Sequence, residues 1–159
     1  MPLKIREAIP KDSQTIFDFI MELAIYEKLP NAVKTTVKEI KDSIFAPNST
    51  VKALICEEDG KAIGYAVYFY NYSTWLGKNG IYLEDLYVNE SKRGKGAGKA
   101  MIKYLAKKAI SEKCGRFEWA CLDWNTPSRE FYESLGAVAL NEWIGYRLEG
   151  DALEKFANN

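Results

Sequence analysis

A chain of 159 residues, 47% of them hydrophobic, fits one globular domain spanning residues 1–159 and leaves no room for a second. Lysine plus arginine, 22, equals aspartate plus glutamate, 22, so no global field points to nucleic acid or to an acidic membrane. Histidine is absent, which excludes Ser-His-Asp and Cys-His triads and most zinc constellations and leaves acid–base work to Glu, Asp, Tyr, Lys or Cys.

The opening MPLKIREAIPKD lacks the apolar core of a signal peptide, and no apolar run approaches transmembrane length. Cys56, Cys114 and Cys121 show no C-x-x-C spacing and sit in or beside apolar runs, which suits packing in a reduced protein. A cytoplasmic location is therefore expected, with no metal, nucleic acid or membrane partner.

Leu3 to Ile9 has the pattern of a first strand, and Pro10-Lys11-Asp12 opens a helix whose apolar face is Ile16, Phe19, Ile20, Leu23 and Ala24, stopping near Leu29-Pro30. Thr36-Val37-Lys38-Glu39 is a capping box, so a second short helix is expected to about Phe45. Val51 to Glu57 and Ala62 to Tyr72 are rich in β-formers and joined by Asp59-Gly60, a hairpin signal. Ser73 to Gly80 is expected as loop and Ile81 to Val88 as the next strand. A glycine-dense segment leads into a long helix with Met101, Leu105 and Ala109 on one face and Lys99, Lys103 and Lys107 on another, ending near Cys114-Gly115. Arg116 to Leu122 follows as a strand. Asn125, with Pro127 just inside, starts a helix that Gly136 should end as a left-handed cap. Val138 to Leu140 and Trp143 to Leu148 are expected as closing strands, and Asp151 as the cap of a last helical turn or two. The long helix between the fourth and fifth strands implies parallel neighbours, and the short turns elsewhere imply antiparallel pairs. The expected class is α+β, with a central mixed, mostly antiparallel sheet of about seven strands flanked by helices.

Gly94, Gly96 and Gly98, on alternate positions before a helix, expose backbone N–H groups that can meet one anion. A Walker loop is excluded, because Arg93 stands where its first glycine belongs and Ala100 where its Ser or Thr belongs. A dinucleotide fingerprint would need glycine at Lys99 or Met101. On spacing alone a phosphate cradle and a flexible, cap-forming loop both fit. Lys92, Arg93, Lys95, Lys99, Lys103, Lys107, Lys108 and Lys113 face Glu112 alone, which fits either a phosphate neighbourhood or a solvated helix face.

Arg93-Gly94-Lys95-Gly96-Ala97-Gly98 matches R/Q-x-x-G-x-G/A, and here the chain resembles the GNAT acyltransferase superfamily. ELAIYE, YSTWLGK, IYLEDLYV, DWNTPSREFYESLGA and GYRLEG fall in the order of the diamine (spermidine/spermine) acetyltransferases and their thialysine-acetylating relatives, across nearly the whole chain. The resemblance implies a GNAT fold, acetyl-CoA as cosubstrate, and a homodimer. The acceptor it implies is a small cationic amine: a polyamine, diamine or lysine-like side-chain amine. It also implies that the N–H groups of Gly94, Lys95, Gly96, Ala97, Gly98 and Lys99, behind Arg93, hold the pyrophosphate.

Acetyl transfer to an amine needs a neutral nucleophile, a polarised thioester carbonyl and a proton for the departing thiolate. Glu84 lies in an apolar strand, where burial would raise its pKa toward proton acceptance, although an outward residue in a surface pair fits the same position. The resemblance favours Glu84 as base, acting through water. Asp85 should face the opposite side unless a bulge intervenes, and then it would orient the amine. Tyr132, by residue type an ordinary core tyrosine, matches the catalytic segment of the family and is the acid for the thiolate. Leu86, Tyr87 and Val88 would offer backbone groups to the pantetheine arm, which Asn125 and Ser128 would touch if they do not simply cap a helix. Tyr26, Glu27 and Trp75 match positions around the amine pocket, though by themselves they read as a helix end and a loop anchor. Protein lysine or N-terminal acetylation, and a non-catalytic acyl-CoA-binding module, are the alternatives.

Overall fold

The computed structural model describes residues 2–159, which divide into two compact units, one ending at Ala120 and the other running from Cys121 to Asn159. Among the described residues no helix is long and apolar enough to cross a membrane.

The first unit contains β1 (Leu3–Glu7), α1 (Ser13–Tyr26), α2 (Val37–Ile44), β2 (Val51–Glu58), β3 (Lys61–Ser73), β4 (Lys78–Val88), α3 (Ala97–Ser111) and β5 (Phe117–Trp119). Short 3-10 turns precede α1 at Pro10–Asp12, follow it at Pro30–Ala32, and follow β4 at Glu90–Lys92. The strands lie in the order β1-β2-β3-β4-β5. Neighbours are antiparallel except β4 and β5, which are parallel across the α3 crossover, as expected.

Local chemistry explains the elements. The Asp12 carboxylate accepts from both Arg6 guanidinium nitrogens, at 2.8 and 2.9 Å, and from the Ile9 N–H at 2.7 Å, which pins the turn from β1 into α1. Thr36 accepts from the Glu39 N–H at 3.1 Å, the expected N-cap of α2. Asp59 and Gly60 both take positive φ, 52° and 75°, the geometry that a two-residue hairpin between twisted strands requires. The loop after β3 is shorter than expected, because Ser73 and Lys78 still pair across the hairpin.

Each sheet face has its own core. Ile16 and Phe19 of α1 pack on Ala53, Ile55, Tyr65, Val67 and Tyr87, with Phe19 stacked on Tyr65 at 5.7 Å between ring centroids. On the opposite face, Met101 and Leu105 of α3 are fully buried, as are Leu54, Cys56, Ala66, Tyr68 and Ile81. Their pairing register alternates with the first set along β2, β3 and β4, as strand geometry demands.

The second unit holds α4 (Thr126–Ser134) and α5 (Gly150–Ala157). Asn125 caps α4 through its side chain, which accepts from the Ser128 N–H, and Gly136 follows with φ 95°, the left-handed stop expected there. The expected strands Val138–Leu140 and Trp143–Leu148 do not form: the described sheet has five strands, not about seven, within the same α+β class. A strand exists only with a ladder neighbour, and these residues find none within the described chain. Trp143, Ile144 and Tyr146 stand exposed, Tyr146 at 93%. Asp151 lies in the first turn of α5 and not at its cap, which is Glu149; there its charge still complements the free N–H groups of the helix start.

Candidate active site

The site grows from an irregularity in β4. Asp85 pairs with Val67 and Leu83 with Tyr68, so the register shifts at Glu84, the extra residue of β4. This is a β-bulge, the condition under which the side chains around Glu84 and Asp85 escape simple alternation. Asp85 thereby joins Tyr87, Tyr65 and Val67 on the α1 face of the sheet.

Asp85 is half-buried, and the hydroxyl of the buried Tyr65 donates to its Oδ2 at 2.7 Å. Burial pushes the Asp85 carboxyl above its ordinary value, and the Tyr65 hydrogen bond opposes that rise. Glu27 ends α1 close enough to feel Asp85; burial first, then the Asp85 charge, raises its carboxyl as well. Both carboxyls are thus held above their usual range, mainly by burial, the kind of perturbation that marks candidate functional sites. Glu84 is exposed, contrary to the burial expected of it, because the bulge turns the extra residue out of the packed ladder.

The end of β4 and α1 enclose a cleft of about 700 Å³ lined by Glu22, Tyr26, Tyr87, Asn89 and Arg93 among others. The Tyr87 hydroxyl and the Asn89 amide both donate to Glu22, at 2.9 and 3.3 Å. The Arg93 guanidinium lies 4.9 Å from the Tyr26 ring centroid and 5.3 Å from that of Tyr87, within cation–π range of both, while its Nε–H donates to the Val88 carbonyl at 2.9 Å.

Beyond Arg93 the glycine segment has the geometry of an anion cradle. Gly94 and Gly96 take φ 79° and 88°, a region that L side chains rarely adopt, and the space where a Cβ would stand is open at both. Gly96 is the N-cap of α3, so the N–H groups of Ala97, Gly98 and Lys99 begin the helix without intrahelical acceptors. Lys92, at the start of this segment, is tied to Glu58 of β2 at 2.7 Å.

β5 pairs with β4 only through Ile81, Tyr82 and Leu83. From Glu84 to Val88 the far edge of β4 carries no described strand, although Leu86, Tyr87 and Val88 remain paired to β3 on the other side. That open edge can accept an extended ligand as an added strand, and it points along the chain to the glycine segment.

The structure therefore gathers Tyr26, Glu27, Glu84, Asp85, Leu86, Tyr87, Val88 and the Arg93–Lys99 loop in the first unit. Trp75 is apart from them: it stands 87% exposed on the turn between β3 and β4, and Lys78 to Asp85 alone spans about 23 Å of strand. Tyr132 lies in α4 of the second unit, beside Phe131 at 5.6 Å between ring centroids, with buried Asn125 and Ser128 at the start of the same helix. Glu22 and Tyr65 were not foreseen. Glu22 could have been found one helical turn before Tyr26, on the same face of α1; Tyr65 carries no sequence signal, since its partner is set by the hairpin register.

Comparison with known proteins agrees with this geometry. The sequence model of the Acetyltransferase (GNAT) family matches residues 17–137. The chain is 38% identical to the thialysine N-epsilon-acetyltransferase of Sus scrofa, over 96% of this chain and 96% of that protein. It is 34% identical to spermidine/spermine N(1)-acetyltransferase-like protein 1 of Homo sapiens, over 91% of this chain but 22% of that protein. Among solved structures, an integron cassette protein from the mobile metagenome of V. cholerae superposes with a TM-score of 0.85 at 29% identity, covering 100% of this chain and 99% of that one. The chain belongs to the GNAT acetyltransferase family and is a GNAT-family N-acetyltransferase.

Proposed function

We propose that the protein transfers an acetyl group from acetyl-CoA directly to a primary amine of a small cationic acceptor, a diamine, a polyamine or a lysine-like amine. One observation carries the reading: the β4 bulge sets the half-buried Asp85, beside Glu27, on the strand whose next residues form an open edge leading to the glycine cradle. The relatives, one a thialysine N-epsilon-acetyltransferase and one named as spermidine/spermine N(1)-acetyltransferase-like, support an amine acceptor of this kind.

The residues present fit the donor. The N–H groups of the Gly94–Lys99 segment would hold the pyrophosphate, and the surrounding lysines would balance the charge of the 3′-phosphate. Leu86, Tyr87 and Val88 would hold the pantetheine amides as an added strand, and one of their N–H groups would polarise the thioester carbonyl. Asn125 and Ser128 are assigned to the same arm.

The acceptor enters as an ammonium, and Glu27 and Asp85 attract it while Tyr26 offers an aromatic wall. Glu84 takes the ammonium proton through water, freeing the nitrogen lone pair to attack the thioester carbon. A C–N bond forms, the acylated nitrogen gives its second proton to water, the C–S bond breaks, the Tyr132 phenol delivers a proton to the departing thiolate, and Glu84 releases the first proton to solvent. The products are an N-acetylamine and free CoA, with the Tyr132 phenolate reprotonated from solvent.

The rest of this reading concerns assembly. The two units act together as one domain of a cytoplasmic enzyme, and the exposed apolar segment around Trp143, Ile144 and Tyr146 supports a homodimer as its cover. No metal, nucleic acid or membrane partner enters the reaction. The test is release of CoA by purified protein given acetyl-CoA and a panel of polyamines, lysine analogues and peptides, with products identified by mass. Acetylation of small diamines or lysine-like amines is the expected result. Release of CoA with peptides alone would favour protein acetylation, and none above background would overturn the enzyme reading.

A further inference from the structure

Tyr65 lies outside the segments that carry the family resemblance, yet it meets the acidic site through Asp85. Its ring is completely buried and stacked on Phe19 at an interplanar angle of 14°, so the hydroxyl has little freedom to choose a partner. That hydroxyl meets Asp85 Oδ2 at 2.7 Å across the β3–β4 ladder, where Tyr65 pairs with Tyr87 and Val67 with Asp85. A buried tyrosine in a core of this kind could be phenylalanine for packing alone; the hydroxyl needs another reason.

We propose that Tyr65 is a positioning residue for the amine acceptor: its hydroxyl orients the Asp85 carboxylate at the bulge, so that the other oxygen receives the substrate ammonium. The inference rests on the amine-acetyltransferase reading given above. Three groups stand around Asp85. Glu27, from the end of α1, is close enough for the Asp85 charge to raise its carboxyl; Glu84, next to Asp85 on β4, adds negative charge near Tyr65; and the Tyr65 hydrogen bond favours the charged form of Asp85. Arg93 is engaged with the Tyr26 and Tyr87 rings and the Val88 carbonyl, and Glu22 is taken by Tyr87 and Asn89. Without the Tyr65 hydroxyl, burial acts on Asp85 with that counterweight removed.

The test is Tyr65→Phe, which keeps the ring and its stacking on Phe19. The expected result is a rise of about tenfold in KM for the amine with a much smaller change in kcat, the size expected for one hydrogen bond to a charged group acting at one remove. The acidic limb of kcat/KM for the amine should move to higher pH, and the KM for acetyl-CoA should stay as it was. In an Asp85→Asn background the same substitution should add almost nothing. A purely structural tyrosine would lower stability but leave the pH limb in place and its effect additive with Asp85→Asn. Carbon-13 carboxyl resonances give a reading independent of turnover, since Asp85 should titrate higher in Tyr65→Phe than in the wild type. An active wild type whose Tyr65→Phe variant keeps its amine KM, pH profile and Asp85 titration overturns this inference alone. A wild type that acetylates no amine overturns the proposed function and removes the acceptor that Tyr65 is said to serve.

Discussion

Tyr87 and Glu22 join the sheet to the first helix through one hydrogen bond, Oη to Oε1 at 2.9 Å, at the floor of the cleft that Arg93 overlies. Tyr87→Phe keeps the ring that packs on Phe19 and faces the Arg93 guanidinium, and removes the hydroxyl with its bond to Glu22. The loss should be about 1–2 kcal/mol in denaturant unfolding, because the acceptor is a partly buried carboxylate. Affinity for acetyl-CoA should change little, since the groups assigned to pantetheine at this residue are backbone.

Asp85→Asn should separate stability from activity. Burial holds the Asp85 carboxyl above its ordinary value, so the folded state prefers the protonated form. The sign follows from linkage: stability from this group is fully present below the unfolded value of about 3.9 and is lost as pH rises through the higher folded value. Asparagine never carries the charge, and its side-chain oxygen still accepts from Tyr65. The variant should melt a few degrees higher at pH 7, with the difference closing as pH falls below about 4, while its amine KM rises tenfold or more. Melting curves across pH and steady-state kinetics check the two halves separately.

Gly96→Ala probes the cradle. At φ 88° an alanine costs about 1–2 kcal/mol, although nothing stands within 4 Å of its methyl group. Stability should fall by that amount. The KM for acetyl-CoA should rise further than for a stability mutant of equal cost, because a shifted N-cap withdraws the N–H groups of Ala97 and Gly98. Calorimetric titration with CoA measures that difference directly.

Tyr132→Phe tests the acid. With the phenolic proton gone, kcat should fall by about 10²-fold while calorimetric affinity for acetyl-CoA stays within about twofold. Acceptors whose reaction is limited by thiolate departure should suffer most. Unchanged turnover would remove Tyr132 from the mechanism.

Much of the scaffold was legible from local patterns. The apolar spacing of α1, the Thr36 cap, the Asp59-Gly60 turn and the Asn125 to Gly136 limits of α4 all depend on residues a few positions apart, and each formed where its pattern placed it. The glycine segment was legible for the same reason: positive φ and free N–H groups are properties of the backbone next to it. Glu84 and Asp85 were picked out by type, but which of them would be shielded was not, because strict alternation and a bulge assign their side chains oppositely.

By itself, then, the order of residues determined the helices, the hairpin, the parallel crossover and the glycine cradle, since short-range sterics and hydrogen bonding govern each. Tertiary structure decided three things: that the β3–β4 register shifts at Glu84, that β5 leaves β4 after Leu83, and that Tyr65 meets Asp85. It also decided that the 138–148 segment forms no strand within this chain. Pairing between strands is a long-range choice. It depends on which neighbour satisfies each peptide group, and a single residue of register reverses the face on which every later side chain falls.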